Sequence, residues 1–223
     1  MNSAKGFFIT GTDTHVGKTW SSLALMRKLQ RQGMQVTGMK PVAAGCEWLD
    51  GGWKNADALL LQQHSSVAQD YELINPYAFE QAVSPHVACD GWQVDLQVIL
   101  KAYEKLHFAA DVVVVEGAGG WYSPLDAKLV NADLAAALEL PVIMVVAMRL
   151  GCINHAMLTW RAIRQSGLPC AGWLAVEIEP GMAALQENLA YLSDSIDGAL
   201  LGVLPCLDLP DFEQLADGFW REI

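Results

Sequence analysis

The chain has 223 residues, of which 52% are hydrophobic and 17% charged, which excludes an intrinsically disordered protein and allows a large buried core. Its 14 Lys and Arg and 25 Asp and Glu give a formal net charge of −11, which argues against a nucleic-acid-binding surface. The longest apolar run, Val142–Met148, is too short to cross a bilayer. We therefore expect a single domain over residues 1–223, with neither nucleic acid nor a membrane as a partner.

The cysteines are odd in number and widely spaced, and no two of them form a C-x-x-C pair: Cys46, Cys89, Cys152, Cys170 and Cys206. This pattern predicts free thiols that serve as small apolar side chains in a reducing compartment. The first residues also lack the basic start and long apolar stretch of a signal peptide. We therefore expect a cytoplasmic location.

Along the chain, short β-branched runs alternate with segments that have apolar residues at helical spacing. The predicted strands are Phe7–Thr10, Val36–Met39, Val112–Val115, Val142–Ala147, Gly172–Val176 and Leu200–Leu204. The predicted helices are Lys18–Gln32, Ala56–Gln63, Val94–Leu106, Asn131–Leu138, Ile153–Gln165, Met182–Leu192 and Phe212–Arg221. Several strands are apolar on both faces, which favours an α/β fold with a doubly wound, mostly parallel sheet. Ligands of such sheets bind at the carboxyl ends of the strands.

Two types of residue mark the ends of these helices. Asn55 and Asn131 are expected to cap helix starts, because a side-chain oxygen there accepts a hydrogen bond from a free backbone N–H. Gly33 and Gly167 are expected to end helices, because glycine adopts a left-handed conformation at little cost.

The first strand leads into a glycine-rich loop that opens a helix, the context of a phosphate-binding P-loop. The loop reads Gly11-Thr-Asp-Thr-His-Val-Gly-Lys-Thr19, with five residues between the two glycines instead of the usual four. Its backbone N–H groups and the helix N-terminus would surround phosphate oxygens. Lys18 would reach the β- and γ-phosphates, and the hydroxyl of Thr19 would ligate Mg²⁺.

Two carboxylates and a second lysine complete the candidate site. Glu116 ends a run of four valines, as an acidic metal ligand does in a Walker-B strand. Asp57 follows a glycine-rich loop and, taken alone, would be an ordinary charge in a first helical turn. Lys40 ends a strand, where it either points into the ligand crevice or is simply solvated.

Taken together, these residues resemble the ATP-dependent dethiobiotin synthetases. The resemblance extends from Phe7 to about Leu207. It rests on these segments, in this order: Gly11–Thr19, Lys40-Pro-Val-Ala43, Asn55-Ala-Asp57, Asn75-Pro-Tyr77, Ser84-Pro-His86, Glu116-Gly-Ala-Gly-Gly-Trp121, Gly151-Cys-Ile-Asn-His-Ala156 and Ala171-Gly-Trp173. It implies a P-loop NTPase-like fold and a ligase of biotin biosynthesis.

The resemblance also implies a reaction. The enzyme would use CO₂, ATP and Mg²⁺ to close the ureido ring of dethiobiotin on 7,8-diaminononanoate, releasing ADP and phosphate. One substrate amine would capture CO₂ as a carbamate, which attacks the γ-phosphate. The second amine would then close the ring and expel phosphate. A homodimer, with the substrate near its interface, is implied as well.

The resemblance assigns a role to individual residues. Lys40, Lys18 and Thr14 are implied as catalytic, and Thr19, Asp57 and Glu116 as metal ligands. Nucleotide binding is assigned to His15, Val16, Gly17, Lys18, Thr19, Trp20, Asp57, Glu116, Gly117, Ala118, Gly119, Val176, Glu177, Pro205, Cys206 and Leu207. Substrate binding is assigned to Thr14, Lys40, Ala44, Gly151, Cys152, Ile153 and Asn154.

The sequence departs from the family at three places. His15 stands where the family commonly has glutamate, Ala44 where it often has serine, and Val176-Glu177 where an Asn-containing pair usually reads the base. None of these changes removes a phosphate, metal or carbamate contact. Cys152 and His155 lie three residues apart at a helix start, where a structural role is favoured over a nucleophile pair. The alternatives to a ligase are a nucleotide-binding paralogue and a P-loop regulatory ATPase.

Overall fold

The computed structural model describes residues 6–209, 211–219 and 221. In this part of the chain the strands are β1 (Gly6–Gly11), β2 (Val36–Met39), β3 (Val42–Ala44), β4 (Glu47–Leu49), β5 (Gly52–Lys54), β6 (Tyr77–Phe79), β7 (Val112–Gly120), β8 (Val142–Ala147), β9 (Cys170–Val176) and β10 (Leu200–Leu204). The helices are α1 (Lys18–Arg31), α2 (Ala56–Gln63), α3 (Tyr71–Ile74), α4 (Pro85–Ala88), α5 (Leu96–Ala109), α6 (Asn131–Leu138), α7 (Cys152–Gln165), α8 (Leu185–Ser195) and α9 (Phe212–Asp217).

A six-stranded parallel sheet forms the centre of the molecule, in the order β10-β9-β8-β1-β7-β2. β1 lies inside the sheet. The next strands of the chain, β2 and β7, lie on one side of it, and β8, β9 and β10 lie on the other, so the order of strand addition changes side at β1. This confirms the doubly wound α/β fold. Such a switch point opens a crevice at the carboxyl ends of the strands, and the residues that follow β1 and β7 enter it.

Helices cover both faces of the sheet, which explains why its strands are apolar on both faces. All six residues of β1 and all six of β8 are buried. One core cluster packs α5, α6, α7 and α8 against the sheet, and a second packs α1 and α9 against the opposite face. None of the helices among the described residues has the length and apolar character needed to span a membrane.

The predicted elements are all present, with some changed bounds. β7 continues five residues beyond Val115, and α8 begins at Leu185 after Ala184, which has a left-handed φ of 55°. α5 begins at Leu96, because the side chain of Asp95 caps it. α9 ends at Asp217 rather than at 221, because the next residues pair with β10 through the bridge from Gly202 to Phe219. Residue 220 of the predicted helix lies outside the described residues.

The predicted helix ends are confirmed with one exception. The side chain of Asn55 accepts hydrogen bonds from the first turn of α2, and Gly33 and Gly167 follow their helices with φ of 87° and 76°. The prediction for Asn131 was wrong, because Val130 is the N-cap of α6 and the Asn131 side chain is used elsewhere. The five cysteines are all free thiols, buried or half-buried as predicted.

Candidate functional site

The phosphate loop joins the end of β1 to the start of α1 at the crevice. Gly17 is the N-cap of α1, with φ of 88°, and no side chain caps the helix. The first N–H groups of α1 are therefore available to an anion, as a P-loop requires. A Cβ on Gly17 would lie 2.8 Å from Cγ1 of Val176, so no larger residue fits there without displacing β9. His15 has a left-handed φ of 57° and is exposed.

Lys18 is buried within this loop instead of extending into solvent. Its Nζ donates a hydrogen bond to the backbone oxygen of Asp13 at 2.9 Å, so the ammonium lies under the loop. Burial lowers the pKa of Lys18 from 10.5 to about 8, and the nearby carboxylates of Glu116 and Asp57 only partly offset this effect. A phosphate anion beside Lys18 would restore the protonated form.

A compact group of charges lies beside the loop, at the ends of β2 and β7. Nζ of Lys40 is 2.6 Å from Oδ2 of Asp57 and 2.7 Å from Oε1 of Glu116. The Thr19 hydroxyl donates to the same Glu116 oxygen at 3.0 Å. Lys40 is 7% exposed and Glu116 is fully buried. The structure therefore joins residues 17 to 97 positions apart in sequence, and Lys40 points into the crevice.

The charges in this group stabilise one another against burial. Burial opposes the ammonium of Lys40, but the charges of Glu116 and Asp57 outweigh it and raise the pKa of Lys40 above its ordinary value. Burial likewise opposes the carboxylate of Asp57, but the charge and hydrogen bond of Lys40 lower the pKa of Asp57 below its ordinary value. Both groups are ionised at neutral pH.

A hydrogen-bond network fixes the backbone on which Lys40 and Asp57 stand. Asn55 Oδ1 accepts from the backbone of Asp57 at 3.1 Å, and Asn55 N donates to the Tyr71 hydroxyl at 2.7 Å. That hydroxyl donates to Asn75, whose Nδ2 donates to the backbone oxygen of Lys40 at 2.6 Å. Sequence reasoning missed the role of Tyr71. The sequence shows a tyrosine at this position, but no spacing in the chain places its hydroxyl beside Asn55.

The oxygen atoms at this point suit a magnesium ion. Oε2 of Glu116 is buried and has no hydrogen-bond partner among the described residues. The hydroxyl of Thr19 and the carboxylate of Asp57 stand beside it, and hard oxygen ligands of this kind are those that Mg²⁺ uses. The described residues contain no group of three or more His, Cys, Asp or Glu that could hold a metal. Phosphate oxygens and water would have to complete the coordination.

Asn131 holds the glycine-rich end of β7 in place. Its Oδ1 accepts from Ala118 N at 3.2 Å, and its Nδ2 donates to the backbone oxygens of Ala118 and, at 2.8 Å, Gly120. A Cβ on Gly117 would lie 3.0 Å from the Asn131 amide oxygen. The side chain therefore serves the strand end that follows Glu116, which explains why it does not cap α6.

A cavity of about 450 Å³ runs from the charged group to the end of β9 and β10. It brings together fifteen of the predicted residues: Thr14, His15, Gly17, Lys18, Thr19, Trp20, Lys40, Asp57, Glu116, Gly119, Val176, Glu177, Pro205, Cys206 and Leu207. Ile178, Leu204 and Leu215 also line it, and sequence reasoning did not identify them. The end beyond Val176 is mostly apolar, which suits the face of a nucleotide base.

The other predicted site residues do not line this cavity. Val16 is buried in the core, and Gly117 and Ala118 lie in the strand β7 behind the site. Ala44 ends β3, where its backbone oxygen accepts from Asn55 at 3.3 Å.

The segment from Gly151 to Asn154 opens α7, outside the cavity. Gly151 has φ of 94° as the N-cap, and no side chain caps the helix. The Cys152 N–H donates to the backbone oxygen of Arg149 at 2.9 Å, and the remaining N–H groups of the first turn can bind an anion. Cys152 is buried, whereas His155 is exposed to solvent.

One ion pair connects this segment to the phosphate loop. Nη2 of Arg149 lies 2.8 Å from Oδ2 of Asp13, and both side chains are half-exposed. The other oxygen of Asp13 accepts from the backbone of Thr14 at 2.7 Å. The start of α7 is therefore tied to the loop that surrounds Lys18.

The sequence matches a family model and curated proteins over most of its length. The family described as AAA domain matches residues 5–214. ATP-dependent dethiobiotin synthetase BioD of Xylella fastidiosa is 48% identical over 205 residues, 91% of each chain. BioD 1 of Salmonella typhimurium is 48% identical over 221 residues, 98% of this chain and 96% of that protein. BioD of Aromatoleum aromaticum is 46% identical over 218 residues, 97% of each chain.

Solved structures with low sequence identity share the fold. A chain of the MinC:MinD cell division protein complex of Aquifex aeolicus superposes with a TM-score of 0.58 at 16% identity, covering 96% of this chain and 87% of that one. A ParA family ATPase of Chlorobium tepidum gives 0.56 at 9% identity, covering 93% and 86%. At these identities the likeness establishes the fold alone.

Proposed function

The chain belongs to the ATP-dependent dethiobiotin synthetase family, and we propose that it closes the ureido ring of dethiobiotin on 7,8-diaminononanoate. The reaction would consume CO₂ and ATP and release ADP and phosphate, as a step of biotin synthesis. The observation that carries the proposal is the meeting of two lysines and two carboxylates at the phosphate loop: Lys18, Lys40, Asp57 and Glu116. A fold-level likeness to P-loop ATPases would not require Lys40 in that position.

The phosphate loop and Lys18 would hold the triphosphate of ATP. The uncapped start of α1 supplies backbone donors, and Lys18 lies beneath the loop, where it can contact the β- and γ-phosphates. The base would lie against Val176 and the segment Pro205–Leu207 at the far end of the cavity. With the triphosphate and base bound in this way, the γ-phosphate would point toward Lys40.

Thr19, Asp57 and Glu116 would hold a magnesium ion that accompanies ATP. The unpartnered Oε2 of Glu116 supports this assignment, because a buried carboxylate oxygen without a donor is costly. When bound there, Mg²⁺ would neutralise negative charge on the transferred phosphoryl group.

Lys40 would stabilise the carbamate that forms when one amine of the substrate captures CO₂. A carbamate oxygen attacks the γ-phosphorus, the bond to the β-phosphate oxygen breaks, and ADP leaves. The second amine then attacks the carbonyl carbon of the mixed anhydride and expels phosphate. A fixed ammonium at Lys40 favours the anion that starts this sequence, and Thr14 lines the same cavity.

We further propose that the carboxylate of the substrate binds at Gly151 to Asn154 of a second copy of the chain. The start of α7 offers free N–H donors, yet it does not line the cavity of its own chain. A homodimer that brings this segment to the site of its partner would use those donors.

The test is dethiobiotin formation, detected by mass spectrometry, from diaminononanoate, bicarbonate and Mg-ATP, with each component omitted in turn. Lys18→Ala should weaken ATP binding and lower turnover together, because Lys18 contacts phosphates throughout the reaction. Lys40→Ala should lower kcat by about 100-fold or more while changing ATP affinity much less.

Lys105→Ala is the matched control, since Lys105 is exposed on α5 and the charge change is the same. It should leave every parameter unchanged. Hydrolysis of ATP without any dethiobiotin would contradict the proposed function and favour a regulatory ATPase. Strongly weakened ATP binding with intact turnover in Lys40→Ala would contradict the role given to Lys40.

A further inference from the structure

Two residues that the proposed function needs, Lys40 and Asp57, are joined by a stretch of chain that leaves the core. Lys40 follows β2 in the central sheet, and Asp57 lies in the first turn of α2. Between them the chain forms β3 and the hairpin of β4 and β5, and residues 47–51 are exposed. A two-stranded hairpin is only marginally stable alone, so contacts from outside it have to fix the spacing of the two residues.

The hydroxyl of Tyr71, at the start of α3, connects the two ends of this stretch. It accepts from the backbone N–H of Asn55 at 2.7 Å and donates to Oδ1 of Asn75 at 2.9 Å. Asn55 Oδ1 accepts from the backbone N–H of Asp57 at 3.1 Å, and Nδ2 of Asn75 donates to the backbone oxygen of Lys40 at 2.6 Å. A continuous chain of hydrogen bonds therefore runs from the backbone of Asp57 to the backbone of Lys40.

Each link of this chain has a fixed direction. Nδ2 of Asn75 donates to two carbonyl oxygens, those of Lys40 and Tyr77, so its Oδ1 has to face Tyr71. On its other side the hydroxyl meets a backbone N–H, which can only donate. A hydroxyl serves both neighbours, because it accepts and donates at once, and burial raises the pKa of Tyr71, which keeps its proton in place. Phenylalanine at this position would serve neither.

Contacts on both sides hold α3 and its tyrosine ring in place. The ring is 7% exposed, and Nζ of Lys54, at the end of β5, lies 3.8 Å from its centroid. The same Nζ lies 3.4 Å from Oε1 of Glu72. At the other end of α3, the backbone oxygen of Ile74 accepts from the N–H of Lys40 at 2.8 Å. α3 therefore contacts both the end of the hairpin and the end of β2.

We propose that Tyr71 is a positioning residue, which fixes the spacing between Lys40 and Asp57 and so aligns the carbamate with the phosphate that the metal holds. The proposal rests on the proposed function and adds a residue that touches neither substrate nor metal. None of the hydrogen bonds in this chain involves the phosphate loop, residues 11–19. Loss of the hydroxyl should therefore impair metal binding and turnover and spare the binding of nucleotide without metal.

The test is Tyr71→Phe, which removes one oxygen atom and keeps the ring. We expect kcat for dethiobiotin formation to fall about tenfold, because small displacements of reacting groups are costly. In calorimetry of ADP binding, the Mg²⁺ concentration needed for the metal-dependent gain in affinity should rise about tenfold, as it does when the support of a metal ligand is lost. The affinity for ADP without Mg²⁺ should stay the same.

Tyr77→Phe is the matched control, because the hydroxyl of Tyr77 also accepts from a backbone N–H, that of Asp95 at 2.9 Å, just before α5. Its loss leaves the link between Lys40 and Asp57 intact, so kcat and the Mg²⁺ requirement should not change. Thermal unfolding of each variant sets a temperature at which both are fully folded. Equal losses of kcat in the two variants would overturn the proposal, because general loosening would then explain them.

A second variant cuts the next link and decides the question even if Tyr71→Phe fails to fold. Asn75→Ser keeps the tyrosine hydroxyl and removes the amide that donates to the backbone oxygen of Lys40. It should show the same loss of kcat with unchanged affinity for ADP alone. The double variant should be no slower than the slower single variant, because both changes break one connection. Unchanged kcat in Asn75→Ser, or losses that multiply in the double variant, would overturn the proposal.

These outcomes can be told apart from failure of the proposed function. Dethiobiotin formation at equal kcat by the unchanged protein and Tyr71→Phe, with an equal Mg²⁺ requirement, would reject the role of Tyr71 and keep the enzyme. If the unchanged protein forms no dethiobiotin, the reaction is rejected. A raised Mg²⁺ requirement for ADP binding in Tyr71→Phe would then still support the positioning of Asp57, because calorimetry needs no turnover.

Discussion

At the scale of single residues, two buried lysines in one cavity have pKa values displaced in opposite directions. Burial dominates at Lys18, which contacts a backbone oxygen, and its pKa falls to about 8. At Lys40 the two adjoining carboxylates outweigh burial and raise the pKa. The two lysines therefore differ in charge before a nucleotide binds. Lys40 is fully protonated, whereas Lys18 becomes fully protonated when phosphate binds beside it.

The lowered pKa of Lys18 predicts that nucleotide binding takes up protons near pH 8. In the free protein Lys18 is about half deprotonated at that pH, and bound phosphates raise its pKa, so up to about half a proton should enter per site. Affinity for Mg-ADP should fall as the pH rises above about 8. Calorimetry in buffers of different ionisation enthalpy measures the uptake.

Lys18→Arg is the control, because a guanidinium remains protonated throughout this pH range. It should bind Mg-ADP without the proton uptake. Binding to the unchanged protein at pH 8 with no proton uptake would show that Lys18 is fully charged before the nucleotide arrives.

The end of β9 predicts weak selection among nucleotide bases. The backbone oxygen of Val176 accepts from Met148 at 2.8 Å, and the backbone N–H of Glu177 donates to Leu204 at 2.9 Å. The N–H of Glu177 is therefore not available to a base, the Val176 oxygen already accepts one hydrogen bond, and the apolar side chain of Val176 offers neither donor nor acceptor. GTP and CTP should support turnover with kcat/KM within about tenfold of ATP, a difference of about 1.4 kcal/mol.

Val176→Asn should sharpen the preference for ATP, since an amide offers a donor and an acceptor together. The assay is dethiobiotin formation with each triphosphate at matched Mg²⁺. A preference of the unchanged protein for ATP beyond about a hundredfold would mean that other groups, such as the backbone from Pro205 to Leu207, read the base.

At the scale of elements, the sequence predicted the central sheet well because its strands are buried on both faces. β2, β8 and β10 have the predicted bounds, and apolar runs of this kind are typical of parallel strands covered by helices. The short strands β3 and β6 and the hairpin of β4 and β5 were missed. The pairing of β3 with β6 joins segments distant in the chain, and the local hairpin exposes Trp48 and Leu49, so no period-two burial pattern marks it.

The candidate site was predictable by residue type but not by geometry. The glycine spacing identifies the phosphate loop, and the position of Glu116 after four valines identifies a strand-end carboxylate. No spacing in the sequence places Lys40 between Asp57 and Glu116, because that contact depends on how β2, β7 and α2 pack. Asn131 is the clearest example. Its position in the sequence predicted a helix cap, but its side chain instead bonds the backbone of β7, a contact that depends on the tertiary fold.

Replacement of Asn131 should therefore weaken nucleotide binding by loosening the end of β7, and it should leave the start of α6 intact. Asn131→Ala leaves the half-buried backbone groups of Ala118 and Gly120 without their Asn131 partners, which costs about 1 kcal/mol for each lost hydrogen bond. Thermal unfolding should show this loss, and Mg-ADP binding should weaken with it. Asp133→Ala is the control on the same helix, since the Asp133 carboxylate accepts from the backbone of Val130 at the start of α6.

Asp133→Ala should lower the unfolding temperature slightly and leave nucleotide affinity unchanged. If Asn131→Ala matches it in both measurements, Asn131 has no part in shaping the strand end that follows Glu116.

At the scale of the whole molecule, exposed apolar side chains near α7 offer an interface for the proposed dimer. Leu150 is fully exposed just before α7, Leu158 within α7 is 59% exposed, and Tyr122 just after β7 is 63% exposed. Leu150→Asp should convert a dimer into monomers in sedimentation. It should raise the KM for the diamine by about tenfold or more, because the partner's helix N-terminus would be lost to the substrate carboxylate.

Mg-ADP affinity should survive in Leu150→Asp, since the phosphate loop belongs to a single chain. Phe108→Asp is the matched control, because Phe108 is 93% exposed on α5, an element that contributes none of these three residues. A fully active monomer of the unchanged protein would contradict the shared site.

The central claim is that a carbamate held at Lys40 attacks the γ-phosphate, and the fate of one oxygen atom tests it most directly. Freshly added ¹⁸O-labelled CO₂ should transfer one labelled oxygen to phosphate for each dethiobiotin formed, because ring closure expels phosphate with the oxygen that attacked phosphorus. Lys40→Ala should slow labelled phosphate and dethiobiotin in parallel. Dethiobiotin formed together with unlabelled phosphate would contradict the account, since the carbamate oxygen would then never have bonded to phosphorus.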